Sequence, residues 1–174
     1  GMKNTMYNPP PEIHNMVAPT EYDNNWRKRV VIGEVHDETA ALLGGVSGNA
    51  GLFSTAKDLS VFLQMILQKG NYQNKSLIKK ETVELFIKQQ SNESTRGLGW
   101  DTKGKGRSSS GNLFSDNSYG HTGFTGTSVW TDPEKNLFVI LLTNRVYPTR
   151  ENTKHIQFRP KLHDEIVKIV DGLK

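Results

Sequence analysis

The sequence predicts an α+β fold, and three segments carry that reading. Leu59, Phe62, Leu63 and Ile66 recur at i, i+3, i+4 and i+7, one face of a helix. Between Tyr119 and Asn144 two β-rich runs, YGHTGFTGTSVW and LFVILLTN, flank the turn TDPEKN and read as a hairpin. Near the C-terminus, over about 160–172, Leu162, Ile166, Ile169 and Val170 share one face of a further helix.

Taken in order, the first 30 residues are rich in Pro and Asn (NPPPEIHN, VAPTEYDNNW) and read as an extended lead-in. Residues 33–53 hold five glycines, interleaved with leucines and Val46, which favours an ordered, partly buried loop. The helix after Phe53 opens on Thr55 with Asp58 three residues on, a capping-box pattern. It stops at Lys69-Gly70. A second helix is expected over Lys79–Gln89, with Val83, Phe86 and Ile87 inward. GLGWDTK is a short strand candidate, followed by the polar loop KGKGRSSSGN. LFVILL is apolar on both faces, as suits a strand covered on each side.

A chain of 174 residues has the length of one domain and can bury a real core. Apolar residues make up only 34%, so that core must come from these few concentrated segments. The formal charge of +4 is spread out, with no Lys/Arg stripe interleaved with aromatics, which argues against nucleic-acid binding. Cysteine is absent, which excludes disulfides and thiol chemistry. No apolar run reaches the ~18 residues of a membrane span. Gly1 ahead of Met2 reads as a scar of tag removal.

Three short motifs invite a catalytic reading. Ser54-Thr55-Ala56-Lys57 fits Ser-x-x-Lys, Tyr72-Gln73-Asn74 fits Tyr-x-Asn, and His121-Thr122-Gly123 fits Lys/His-Thr-Gly. In that order they would make a complete acyl-transfer site. Distance argues against the first two. If Ser54 opens a helix that ends near Gly70, Tyr72 lies at its far end, roughly 25 Å away at ~1.5 Å per residue. A general base must come within about 3 Å. Ser54 and Thr55 therefore read as helix caps, Lys57 as solvated, and Tyr72 and Asn74 as turn residues. Ser76-Leu77-Ile78-Lys79 precedes its helix in a polar connection, and Ser115-Asp116-Asn117 lies only four residues before His121. Both read as chance matches. His121-Thr122-Gly123 has the right context, a strand, with glycines at 120, 123 and 126 that permit close approach. His36 and His163 are each followed by Asp, but no third ligand stands at suitable spacing, so no metal site is expected. His36-Asp37 reads as a hydrogen-bonded pair holding the Gly-rich loop near the cleft.

The longer segments carry a resemblance. GHTGFTGTSVWTDPEKNLFVILLTNRVYPTR resembles the C-terminal end of the serine β-lactamase and DD-peptidase family, in its class C-like, penicillin-recognising branch. GEVHDETAALLGGVSGNAGLFSTAKDLSVFLQMIL is similar to the Gly-rich loop and helix that follow the Tyr-x-Asn element there, and MKNTMYNPP to a stretch further upstream. The resemblance implies a partial version of that fold: an antiparallel sheet of about three strands, a C-terminal helix on one face and a helical subdomain on the other. Residues 1–174 would be one C-terminal fragment, with about 1–95 in the helical subdomain and about 96–174 forming the sheet and last helix. The true Ser-x-x-Lys and Tyr-x-Asn elements would lie before Met2, leaving this chain inactive alone.

The resemblance also implies roles. His121 and Thr122 would line the cleft, orient substrate and move protons. The backbone N–H of Phe124, next to Gly123, would be one of two oxyanion-hole donors. Arg150 would meet a substrate carboxylate. Ala50 and Gly51 would border the cleft in place of an aromatic residue, leaving a roomier site. No cofactor is implied. The expected substrate is a peptidoglycan-derived amide or peptide, then an ester or a β-lactam, and the expected compartment is the cell envelope or periplasm. The rival reading is a non-catalytic module that binds a wall peptide or a partner protein. The edge of the LFVILL strand, unpaired without the family's N-terminal strands, is expected to support a homodimer.

Overall fold

The computed structural model describes residues 1–104, 106 and 108–172. Lys105 and Arg107 of the polar loop, with Leu173 and Lys174, lie outside the described residues. The N-terminal half is built from short pieces. Strand β1 (Met6–Tyr7) is followed by a 3₁₀ turn, Pro11–Met16, then by β2 (Tyr22–Asp23) and β3 (Arg29–Val30), which pair antiparallel. Helix α1 (Glu38–Leu42) is capped by Asp37, whose carboxylate accepts the Ala40 N–H at 2.7 Å. Strand β4 (Leu52–Phe53) pairs antiparallel with β1.

Helix α2 (Ala56–Leu67) starts where the capping pattern places it: Thr55 Oγ1 accepts the Asp58 N–H at 3.2 Å. The acidic half of the pattern works differently. Asp58 is 3% exposed, and its carboxylate accepts the Asn4 N–H at 2.7 Å and the Thr5 hydroxyl at 3.0 Å. It thus ties the first residues of the chain onto the helix start. At the other end Gly70, at φ +90°, lets its N–H reach Met65 O at 2.8 Å, and a Cβ there would strike the Ile78 carbonyl. A hairpin of β5 (Asn71–Tyr72) and β6 (Lys75–Ser76) leads into α3 (Lys80–Ile87). Val83 is buried there as expected, whereas Phe86 is exposed.

The main sheet holds β7 (Asp101–Thr102), β8 (Tyr119–Thr122), β9 (Ser128–Asp132) and β10 (Leu137–Leu141) in the order β10-β9-β8-β7, antiparallel throughout. Strand alternation sorts its side chains into two cores. On one face Tyr119, Val129, Phe138 and Ile140 meet Leu63, Met65 and Ile66 of α2, with Trp100 and Val83. On the other, Trp130, Leu137 and Val139 meet Phe114 and the last helix, α4 (His155–Gly172), through Ile166 and Val167. Burying one side chain such as Phe114 contributes about 1.5–3 kcal/mol, so the two cores hold sheet and helices together.

Helix α4 differs from expectation in start and phase. It begins at His155, ahead of Pro160, and its buried residues are Arg159, His163 and Val167, with Ile166 beside them, while Ile169 is exposed. Two polar residues occupy the inner face because the fold supplies partners: His163 Nδ1 bonds Ser109 O at 2.8 Å, and Arg159 holds two backbone carbonyls. Burial lowers the pKa of His163, which favours its neutral form.

Candidate active site

Each serine motif finds a structural use outside the His-Thr-Gly strand. Ser54 Oγ shares a hydrogen bond with Thr5 Oγ1 at 2.8 Å and Lys57 is exposed. Tyr72 sits past the far end of α2, in a hairpin whose tip, Gln73-Asn74, has positive φ. Ser76 pairs with Asn71 in that hairpin. Ser115 donates its backbone N–H and its hydroxyl to the buried carboxylate of Asp132, each at 2.7 Å, and Asn117 bonds Glu134 at 2.7 Å. The Ser115–Asn117 stretch therefore anchors the β9–β10 turn.

The β8 strand and the turn after it are built otherwise. His121 is exposed and stands on the α2 face, alternating with Thr122. Its Nε2 lies 2.9 Å from Arg96 Nη1 and its Nδ1 2.9 Å from Thr122 O. Arginine only donates, so Nε2 accepts and Nδ1–H donates: the geometry selects one neutral tautomer. Thr122, on the α4 face, borders a groove of 240 Å³ shared with Thr95, Thr102, Lys103, Ser109 and Arg159.

In the turn 123–127 every carbonyl is engaged. Gly123 O accepts Gly126 N–H and Arg159 Nη2, both at 3.1 Å, and Phe124 O accepts Arg145 Nε at 2.8 Å. Thr125 O accepts Arg145 N–H at 2.8 Å, Gly126 O accepts the Thr143 hydroxyl at 2.6 Å, and Thr127 O accepts Gly123 N–H and Arg159 Nη2. Gly126, at φ +124°, makes this tight packing possible. By contrast the Phe124 N–H donates to no acceptor among the described residues. The Thr125 and Thr127 N–H groups also lack an acceptor among the described residues, but only the Phe124 N–H directly follows the His-Thr-Gly strand; an unpaired backbone donor on a braced turn is what an oxyanion hole requires.

The Phe124 side chain, though largely exposed, is flanked by two groups. His36 stacks on it at 5.6 Å between centroids, and the Arg145 guanidinium lies over it at 4.2 Å. Behind stands a buried ionic cluster. Glu21, 6% exposed, receives Arg150 Nη2 at 2.7 Å and Nε at 2.9 Å, and it bonds His36 Nε2 at 2.6 Å. Arg150 also reaches Glu38 at 2.8 Å. The Arg150 guanidinium and the His36 bond hold the Glu21 carboxyl at about 2. Glu21 and Glu38 raise the Arg150 pKa further in turn.

This cluster revises two sequence expectations. Arg150 is committed to two carboxylates, so it braces the segment after β10 instead of offering a free cation to a substrate. His36 pairs with Glu21 and not with its neighbour Asp37, which caps α1. Gly51 packs against Gly45 and Tyr7, and Ala50 beside it is partly buried; neither shows contact with the His121 strand among the described residues. Sequence reasoning missed Arg96, Arg145, Arg159 and Glu21. Only Arg159 left a signal, a basic residue one turn from His163 and two from Val167 on the inner face of a helix.

A family model for the beta-lactamase family matches residues 1–162. The chain belongs to the beta-lactamase family. Within it stands a protein of Salmonella typhi provisionally named a D-alanyl-D-alanine carboxypeptidase, 38% identical over 173 residues, covering 88% of this chain and 39% of the relative. A counterpart in Salmonella newport has the same identity and coverage. The chain thus spans about two fifths of the length of the curated relatives it matches. Among solved structures, a beta-lactamase from Mycobacterium bovis superposes with a TM-score of 0.59 at 20% identity, over 75% of this chain and 53% of the other. A protein from Bacillus anthracis, provisionally named a 6-aminohexanoate-dimer hydrolase, gives 0.51 at 18%, over 71% and 30%. At these identities the likeness is one of fold. The α+β architecture of this chain is accordingly a partial beta-lactamase fold.

Proposed function

We propose that this chain supplies the His-Thr-Gly strand and one oxyanion donor of a serine hydrolase that acts on peptidoglycan-derived amides or peptides through an acyl-serine. The observation that carries the reading is the Phe124 N–H, free of any acceptor among the described residues on a turn whose carbonyls are all held. His121, two residues before Gly123, is an exposed imidazole on the strand that leads into the same turn. In this reading the nucleophile belongs to a Ser-x-x-Lys element upstream of Met2, because Ser54, Ser76 and Ser115 are each engaged in helix, hairpin or turn contacts. The division into a helical part, about 1–95, and a sheet part, about 96–174, follows the same logic: the four strands of the main sheet and α4 all come after residue 96.

The carbonyl carbon of the scissile bond is attacked by the upstream serine, and its oxygen takes up negative charge. The Phe124 N–H stabilises that charge as it develops, together with a second donor from the serine's own backbone. His121 orients the leaving side of the substrate, and it passes a proton once its Nε2 exchanges Arg96 for the substrate. The 38%-identical relatives named as carboxypeptidases support a D-alanyl-D-alanine peptide as the substrate class. The test is the full-length protein incubated with a fluorescent penicillin and, separately, with a D-alanyl-D-alanine peptide. Covalent labelling at an upstream serine and release of D-alanine are expected. A full-length protein that binds the peptide but neither releases D-alanine nor takes up label would instead be a binding module.

A further inference from the structure

The turn that carries the oxyanion donor is held from behind by a buried cation. Arg159 is 5% exposed, and among the described residues no carboxylate lies within ion-pair distance of its guanidinium. The charged group beside it is another cation, Arg145, and burial together with that neighbour lowers the Arg159 pKa. Arginine's ordinary value is so high that the group remains charged. Burying a charge is costly unless hydrogen bonds compensate it. The compensation here is two carbonyl oxygens of the turn, Thr127 O at 2.7 Å and Gly123 O at 3.1 Å, both from Nη2.

Gly123 O belongs to the same peptide unit as the Phe124 N–H. A trans peptide is planar, with C=O and N–H pointing in opposite directions. Because the Gly123 carbonyl is drawn towards α4, the Phe124 N–H is turned away from α4. The same bond thus fixes the direction in which the N–H points. A charge-assisted hydrogen bond to a carbonyl also draws electron density through the amide and makes its N–H a stronger donor.

We propose that Arg159 is a positioning residue for this reaction: through the Gly123 carbonyl it aims and polarises the Phe124 N–H. The inference rests on Phe124 being the oxyanion donor. It deepens that reading by assigning to α4, through a backbone carbonyl, control over transition-state stabilisation. Arg145, which holds the Phe124 and Thr125 carbonyls, braces the same turn from the side.

Two measurements test it. In the 174-residue chain, the carbonyl-carbon shift of Gly123 and the amide-nitrogen shift of Phe124 are followed by NMR in Arg159→Met and Arg159→Lys. Both resonances should move in Arg159→Met and move part of the way in Arg159→Lys, with the β9–β10 amides unchanged. Unmoved Gly123 and Phe124 signals in a folded variant would overturn the proposal. In the full-length protein, the acylation rate constant with a fluorescent penicillin should fall at least about tenfold in Arg159→Met, short of the ~100- to 1000-fold cost of deleting a donor. The dissociation constant of the preceding non-covalent complex should stay within about twofold, since uniform binding is not what the residue supplies. A loss confined to that binding step would sink the idea. Phe124→Pro, which removes the N–H itself, separates the two claims. If Phe124→Pro is crippled and Arg159→Met is not, only this inference fails. If Phe124→Pro acylates at the wild-type rate, the oxyanion reading fails and takes the inference with it.

Discussion

The start of α2 and the turn after β8 carry equally suggestive motifs, Ser-x-x-Lys and His-Thr-Gly, yet they are finished to different degrees. At α2 the hydroxyls and the carboxylate have protein partners while Lys57 is exposed: Thr55 caps the helix, Ser54 bonds Thr5, and Asp58 collects the N-terminal segment. At the β8 turn the carbonyls are saturated while the Phe124 N–H, like those of Thr125 and Thr127, donates to no acceptor among the described residues, and two arginines without carboxylate partners among those residues hold the turn. A structural motif uses up its hydrogen-bonding capacity, whereas a reactive one holds some in reserve for a species that appears only during the reaction. The difference cannot be read from the three or four letters of either motif.

The largest expected effects set the two motifs directly against each other. In a longer protein that carries the proposed upstream serine, Ser54→Ala should leave acylation by a fluorescent penicillin within about twofold, whereas a nucleophile's loss would cost on the order of 10⁶. The 174-residue chain alone should take up no label; peptide mapping that places label on Ser54 would reverse the assignment of the two regions. His121→Ala in the full-length protein should lower the acylation rate by about 10²- to 10⁴-fold, the range of a lost proton-transfer group, with the far-UV dichroism unchanged.

The support behind the turn can be weakened with acid. The Glu21 carboxyl titrates at about 2 in the folded chain against an ordinary 4.5. Its contribution is therefore complete above 4.5 and is lost as the pH falls from there towards 2. The shift corresponds to roughly 3 kcal/mol at ~1.4 kcal/mol per pH unit. Urea unfolding followed at pH 6, 4 and 3 should show most of that loss below pH 4.5, and Glu21→Gln should flatten the dependence. A Glu21→Gln chain with unchanged acid sensitivity would show that other carboxylates dominate.

Smaller effects bear on the other half of the comparison. Thr55→Ala should cost about 0.5–2 kcal/mol of stability, the range for a lost N-cap, and should leave the acylation rate of the full-length protein in place. A stability change within error would remove the cap from the account of α2. The least energetic expectation concerns β10, which lies at one edge of the main sheet and presents the half-exposed Leu142 just beyond its end. Light scattering after gel filtration should find association of the 174-residue chain at micromolar concentration through that edge. A clean monomer of 19.5 kDa would mean that the edge is blunted by the chain itself.

The sequence alone determined whatever depends on neighbours along the chain. The period of α2, its Thr55 cap, its Gly70 stop and the β9–β10 hairpin are local hydrogen-bond and periodicity rules, and the long His-Thr-Gly segment was enough to mark the family. It also separated Ser54 from Tyr72, because helix rise alone places them roughly 25 Å apart. Only the tertiary structure decided which charges meet. Arg150 looked available to a substrate until Glu21, 129 residues away in sequence, closed on it. Arg159 and His163 turn inward on α4 because Gly123, Thr127 and Ser109 supply carbonyl partners for them. The reason is physical: the cost of burying a polar group is set by what lies opposite it, and in this chain the opposite groups come from distant segments.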